Sequence, residues 1–179
     1  MKVRLFQTGL LLAVALLCSV AHGQGFPWDD FKPRTLKELV NMESDVEQLK
    51  DKSNVVFHAS ILSSRVHVTY IGTSRKISSV KKKLIRDWAK MMKQSEDYAE
   101  RYESDFLFVE DSTEYWLPVQ NKVSSYFEKE LKKGDTIDLY LVSAGGIRTA
   151  GVWDWMLLVE EFQKREDSTK RKSDSYLSA

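Results

Sequence analysis

An α+β fold follows from three features of the chain. Two adjacent segments near the middle alternate apolar and polar residues, a second alternating pair lies near the end, and stretches with apolar residues at helical spacing separate them. Strand side chains alternate between two faces, whereas helical ones return to one face about every 3.6 residues. Composition agrees: 42% hydrophobic and 30% charged residues over 179 positions suit one ordinary folded domain.

The N-terminus comes first. Lys2 and Arg4 precede an apolar run from Leu5 to Val20, broken only by Gln7, Thr8 and Gly9, and Ala21-His22-Gly23 follows. This is the layout of a signal peptide over 1–23, cut before Gln24. The run is shorter than the roughly 20 apolar residues a membrane span wants. An uncleaved anchor is the alternative, and no later run predicts a span. Cleavage removes Cys18, the only cysteine, so the mature chain has no disulfide, thiol ligand or thiol nucleophile. Leu17 before Cys18 is not the small residue that a lipid-attachment site wants. Asn41, Asn54 and Asn121 lack a Ser or Thr two places on, so no N-glycan is implied. Secretion or periplasmic export in a bacterium is the expected localisation.

Residues 24–34 read as an irregular arm carrying Phe26, Trp28 and Phe31. The ordered body is expected over 35–163 as a single α+β domain. Residues 164–179 are polar and charged, with almost nothing to bury, and read as a disordered tail.

Within the body, Thr35 and Glu38 form a capping box ahead of an apolar stripe of Leu36, Leu39, Val40, Met42, Val46 and Leu49. Asn54–Ile61 and Arg65–Gly72 alternate and predict a hairpin turning at Leu62-Ser63-Ser64. Ser78 or Ser79 opens a long helix to about Tyr102, its buried face traced by Val80, Leu84, Trp88, Met91 and a tyrosine. Lys81–Lys83 in its first turn, and the acidic residues in its last, oppose the helix dipole. Asp105–Glu110 reads as a strand. Pro118 then suits the first position of a helix carrying Val119, Val123, Phe127 and Leu131, stopped by Gly134. Ile137–Leu141 and Trp153–Phe162 form a second hairpin around a Gly145–Gly151 loop.

The resulting order is α-β-β-α-β-α-β-β. Five strands with a helix between the third and fourth match an OB-like five-stranded barrel with an inserted long helix. A small antiparallel sheet with helices on one face accommodates the same elements.

Near-balance of 27 basic against 26 acidic residues argues against dedicated nucleic-acid binding. Three constellations remain. In the expected first hairpin, His58 and His67 fall opposite each other on the outer face, which offers half of a zinc site to be completed by a carboxylate. Lys81, Lys82 and Lys83, with Arg75, Lys76 and Arg86 nearby, form a basic patch at a helix N-terminus, where an anion could sit. Trp116 and Trp153 are not explained by core spacing, and Arg148 lies at the tip of the last loop. Exposed aromatics of this kind stack on sugars or seat a partner.

No nucleophile motif stands in a convincing setting. Gly-x-Ser-x-Gly and His-Glu-x-x-His are missing, and Ser78-x-x-Lys81 and Ser79-x-x-Lys82 lack the motifs that accompany Ser-x-x-Lys in penicillin-binding enzymes. Gly145–Gly151 lacks the Gly-Lys-Ser/Thr ending of a phosphate loop. The sequence therefore points to a non-enzymatic exported domain without a cofactor, which binds a protein partner or a carbohydrate or anionic ligand through Trp116, Trp153, Arg148 and Lys81–Lys83. The alternative is a metal-dependent or carboxylate-based hydrolase using His58, His67 and an acidic residue. A third reading is a structural component of the cell envelope.

Overall fold

The computed structural model describes residues 26–47, 54–149 and 151–165. The signal-peptide segment, the tail beyond Arg165 and the expected helix end near Lys52 lie outside them. The fold is α+β with a mixed sheet. The strands are β1 (Lys32–Pro33), β2 (Val55–Lys76), β3 (Tyr102–Glu110), β4 (Thr113–Gln120), β5 (Thr136–Thr149) and β6 (Val152–Lys164). The helices are α1 (Leu36–Glu47), α2 (Ser79–Met91) and α3 (Asn121–Glu130). None among the described residues is long and apolar enough to cross a membrane.

Five strands run in a ring, β2-β3-β4-β6-β5 and back to β2, and β1 is a short parallel stub on β2. Four links of the ring are antiparallel ladders. The fifth, β4 to β6, is parallel and consists of the single pair Val119↔Val159. Inside the ring, Val66, Val68, Phe108, Leu117, Ile137, Leu139, Leu157 and Val159 meet Leu36 and Leu39 of α1 and Val123 and Phe127 of α3. A second core lies on the opposite face of β5 and β6, where Tyr140, Val142, Ala144, Met156 and Leu158 pack against α2. With a core on each face, β5 is buried almost without interruption from Ile137 to Gly146. Phe26, Trp28 and Phe31 of the arm gather on Tyr140.

The capping box forms: Thr35 N donates to Glu38 Oε2 at 2.7 Å, and Glu38 N to Thr35 Oγ1 at 3.0 Å. Glu110, at the end of β3, takes the next two amides, from Leu36 and Lys37.

Three expectations are corrected. The expected first hairpin is one continuous strand of 22 residues. Leu62-Ser63-Ser64 lacks the Gly, Asn or Asp that a tight hairpin turn favours, and it pairs in register with Leu141–Ser143 of β5. A register shift between Phe57 and Leu62 absorbs the surplus residues.

The long helix stops at Met91. Lys93 has a left-handed φ of 54°, and a short 3-10 turn, Tyr98–Arg101, leads into β3. The acidic residues that would have opposed the dipole therefore lie beyond the helix. The buried stripe of α2 is Lys81, Leu84, Ile85, Trp88 and Ala89, and Val80 and Met91 are exposed.

Pro118 lies in β4 opposite Asp105, not at a helix start. A residue without an N–H fits a strand where that bond would point away from its neighbour. The side of β4 away from β3 is unpaired there, and Asp111 and Ser112, both with positive φ, make the tight β3–β4 turn.

Candidate functional site

Because β4 and β6 pair only at Val119↔Val159, the strands part toward the β3–β4 turn. A cleft of about 420 Å³ opens between them. Its walls are Tyr115 and Trp116 on β4, Trp153, Asp154 and Trp155 on β6, and Arg75 at the end of β2. Three of the chain's five tryptophans therefore converge on one place.

The backbone of β5 sets the position of two of them. Trp153 and Trp155 are two apart on one strand and share a face, with ring centroids 4.8 Å apart and planes only 6° off parallel. Trp155 lies against Gly146, where any Cβ would collide with its ring. The neighbouring Gly145 has φ +125°, and a Cβ there would run into the Val56 carbonyl. Gly145 and Gly146, expected in the loop between the last two strands, are thus part of β5, where they make room for the second indole and for β2. The Nε1–H of Trp153 is buried and finds no hydrogen-bond acceptor among the described residues.

On the opposite wall, the Arg75 guanidinium stands over the Trp116 ring at 4.3 Å. Its Nε donates to Asp105 Oδ2 at 3.2 Å. Asp105 also receives Lys81, whose Nζ donates to Oδ2 at 3.3 Å and approaches Oδ1 at 3.2 Å at an angle that does not make a hydrogen bond. The same Nζ donates to Asp154 Oδ1 at 3.0 Å. Lys81 is only 1% exposed. Burial pushes the Asp105 carboxyl above the usual carboxylate range, and the Asp154 charge adds to this against the pull of Lys81 and Arg75. A line of alternating charges, Arg75-Asp105-Lys81-Asp154, thus runs from one aromatic wall to the other.

Of the sequence candidates, the structure brings Trp116, Trp153 and Lys81 to this site. Lys81 is part of its foundation and not of an exposed basic patch, because helical spacing places it on the buried stripe with Leu84, Ile85 and Trp88. Lys82 pairs with Glu100 at 2.9 Å and Lys83 with Asp87 at 2.6 Å, so both charges are already matched on the surface. At the start of α2, the Ser78 hydroxyl accepts from the Lys81 amide. Arg148 is the register partner of Trp153 across the β5–β6 hairpin.

The structure does not bring His58 and His67 together. They stand nine positions apart on the same strand, so no cross-strand pairing places them face to face. His67 Nδ1 lies 2.9 Å from Asp138 Oδ1, and the His58 carbonyl accepts from Trp88 Nε1 at 3.1 Å. Among the described residues no group of three or more His, Cys, Asp or Glu is placed to hold a metal.

A second polar cluster lies just past the Val119↔Val159 pair. Tyr98 and Tyr102 both donate to Glu160 Oε1, at 2.6 and 2.5 Å, and Gln120 Nε2 donates to Glu160 Oε2. Glu160 is the extra residue of a β-bulge, since Tyr140 pairs with Glu161 and Leu141 with Val159. The bulge swings its carboxylate toward β3 and β4 and returns Phe162 to the inner core. Burial, reinforced by the Glu160 charge, holds both phenols well above the ordinary tyrosine range.

Sequence reasoning missed Arg75 and Asp154 as cleft residues and Asp105 as the buried carboxylate behind them; Trp155 is buried in the inner core, as its spacing implies, and also borders the cleft. The parity of Trp153 and Trp155 was the available signal. A lysine on the apolar stripe of α2 was another, since a buried ammonium requires carboxylates nearby. No protein-family model and no curated protein matches the chain in sequence.

Proposed function

We propose that the chain is a small exported, non-enzymatic binding domain, and that its ligand is held in the aromatic cleft between β4 and β6. The observation that carries this is the convergence of Trp116, Trp153 and Trp155, with Tyr115 and Arg75, on one open cleft. Aromatic rings are normally buried, and several of them around a cavity with a few charged groups match the composition of ligand sites. The charged groups beneath are tied to one another, which suits them to holding the walls in place.

The reading includes an OB-like barrel. It is supported by the cyclic order β2-β3-β4-β6-β5, by the parallel contact of β4 with β6, and by α3 between the third and fourth strands of the ring. Export to the periplasm or the medium rests on the signal-peptide layout of residues 1–23.

The test is a thermal-shift and tryptophan-fluorescence panel on chain 24–179, covering glycans, peptidoglycan fragments, peptides, acidic lipids and divalent metals. Native-state binding raises the melting temperature by mass action. A ligand whose effect disappears in Trp116→Ala and Trp153→Ala supports the cleft. Binding that is indifferent to both substitutions, or turnover of any panel member, refutes the proposal.

A further inference from the structure

Resting on the cleft as the binding site, we infer that its ligand is a neutral oligosaccharide. The charges of the walls decide against other classes. Arg75 and Asp154 are partly exposed, their side chains 47% and 40% accessible, and Glu114 is exposed at the rim. With the buried groups counted, three carboxylates (Asp105, Asp154 and Glu114) stand against two cations (Arg75 and Lys81), so the cleft offers no net positive charge to attract a polyanion. A hydrocarbon chain would strip water from the three accessible groups without offering a partner. An organic cation is best held by several rings boxed around it, yet Trp153 and Trp155 lie parallel, and Arg75 already covers Trp116.

A neutral polyol fits what remains. Each hydroxyl both donates and accepts, so a sugar can donate to Asp154 and Glu114 and accept from Arg75 with no net charge of its own. The C–H face of a pyranose is flat and apolar and matches an indole face such as that of Trp153. At about 420 Å³ the cleft is of the size that takes a small-molecule ligand, here one or more sugar units. An extended peptide paired to the free side of β4 is less favoured. Pro118 has no N–H to offer on that edge.

The experiment is isothermal titration, with tryptophan fluorescence alongside, of chain 24–179 with cellohexaose, chitohexaose and maltohexaose. An oligogalacturonate, choline and an unstructured peptide serve as comparison ligands. At least one neutral hexasaccharide is expected to bind saturably. Trp153→Ala, and separately Asp154→Asn, are expected to weaken it about tenfold, the size of one lost stacking or hydrogen-bonding contact. Trp153→Phe keeps a ring and is expected to retain most of the affinity, which guards against a folding defect in the alanine variant. No saturable response to any neutral hexasaccharide overturns the inference. If a comparison ligand then binds in a manner that depends on Trp153, the cleft stands and only the carbohydrate assignment falls. If a sugar binds but neither Trp153 nor Asp154 matters, the cleft itself is refuted.

Discussion

Lys81 Nζ donates to Asp154 Oδ1 at 3.0 Å, across 73 residues of sequence. The contact joins α2 to the strand that carries Trp153 and Trp155. The same ammonium holds Asp105, and Asp105 holds Arg75 against the face of Trp116. The two aromatic walls of the cleft are therefore coupled through one buried lysine.

Replacing Lys81 with Met removes the ammonium but leaves the buried Asp105 carboxylate facing a second carboxylate. Breaking a buried pair by removing one partner typically destabilises by about 3–5 kcal/mol. Lys81→Met is expected in that range by urea unfolding, with much of the loss recovered in the Lys81→Met, Asp105→Asn double variant. A loss below about 1 kcal/mol, the scale of an exposed pair, contradicts the coupling.

Asp105 has an unusual acid response. Its carboxyl holds a proton to higher pH in the folded chain than in the unfolded one, chiefly because it is buried. Its contribution to stability is therefore fully present below the unfolded value of about 3.9 and is lost as pH rises through the raised folded value. Asp135 runs the other way: hydrogen bonds from Lys164 and the Lys132 amide lower it, so its contribution is lost as pH falls. The stability of the wild type minus that of Asp105→Asn should thus decrease as pH rises across the acid range. Chemical unfolding at several pH values reads this difference, and an increase with pH overturns the assignment.

Tyr98 and Tyr102 should resist ionisation. Both phenols donate to Glu160, and their folded values are raised by burial and by that carboxylate. Stability from this source is complete below the unfolded value of about 10 and declines as pH rises above it. An ultraviolet titration is expected to show at least two of the seven tyrosines ionising only as the fold opens. Tyr98→Phe should reduce that number by one. Free titration of all the tyrosines in the folded chain excludes the cluster.

Gly146→Ala places a Cβ where the Trp155 ring now lies. The indole has to move, and overpacking of this kind destabilises by about 1–3 kcal/mol. The parallel pair with Trp153 should be disturbed as well, which near-ultraviolet circular dichroism detects as a changed tryptophan signal. Wild-type stability together with an unaltered spectrum contradicts the packing of Trp155 on Gly146.

Much of the local structure was legible in the sequence. Alternation marked β5 and β6 with their inward residues, and the Thr35–Glu38 box marked the start of α1. The unexplained positions of Trp116 and Trp153 pointed to the cleft. The less legible parts depended on partners far along the chain. Leu62-Ser63-Ser64 interrupts the local pattern as a turn would; β5 pairs with it and carries the strand through. Lys81 looked exposed as one of three lysines, and only the approach of Asp105 and Asp154 to α2 provides for its burial.

By itself, then, the sequence determined the α+β character and most of the strand and helix positions. These depend on periodicity and capping, which act within a few residues. Only the tertiary structure decided that β2 is continuous, that Glu160 bulges toward Tyr102, and that β4 and β6 touch at one pair and leave a cleft above it. Register and strand order are set by side chains that meet across long stretches of chain, and no local pattern records which of them will meet.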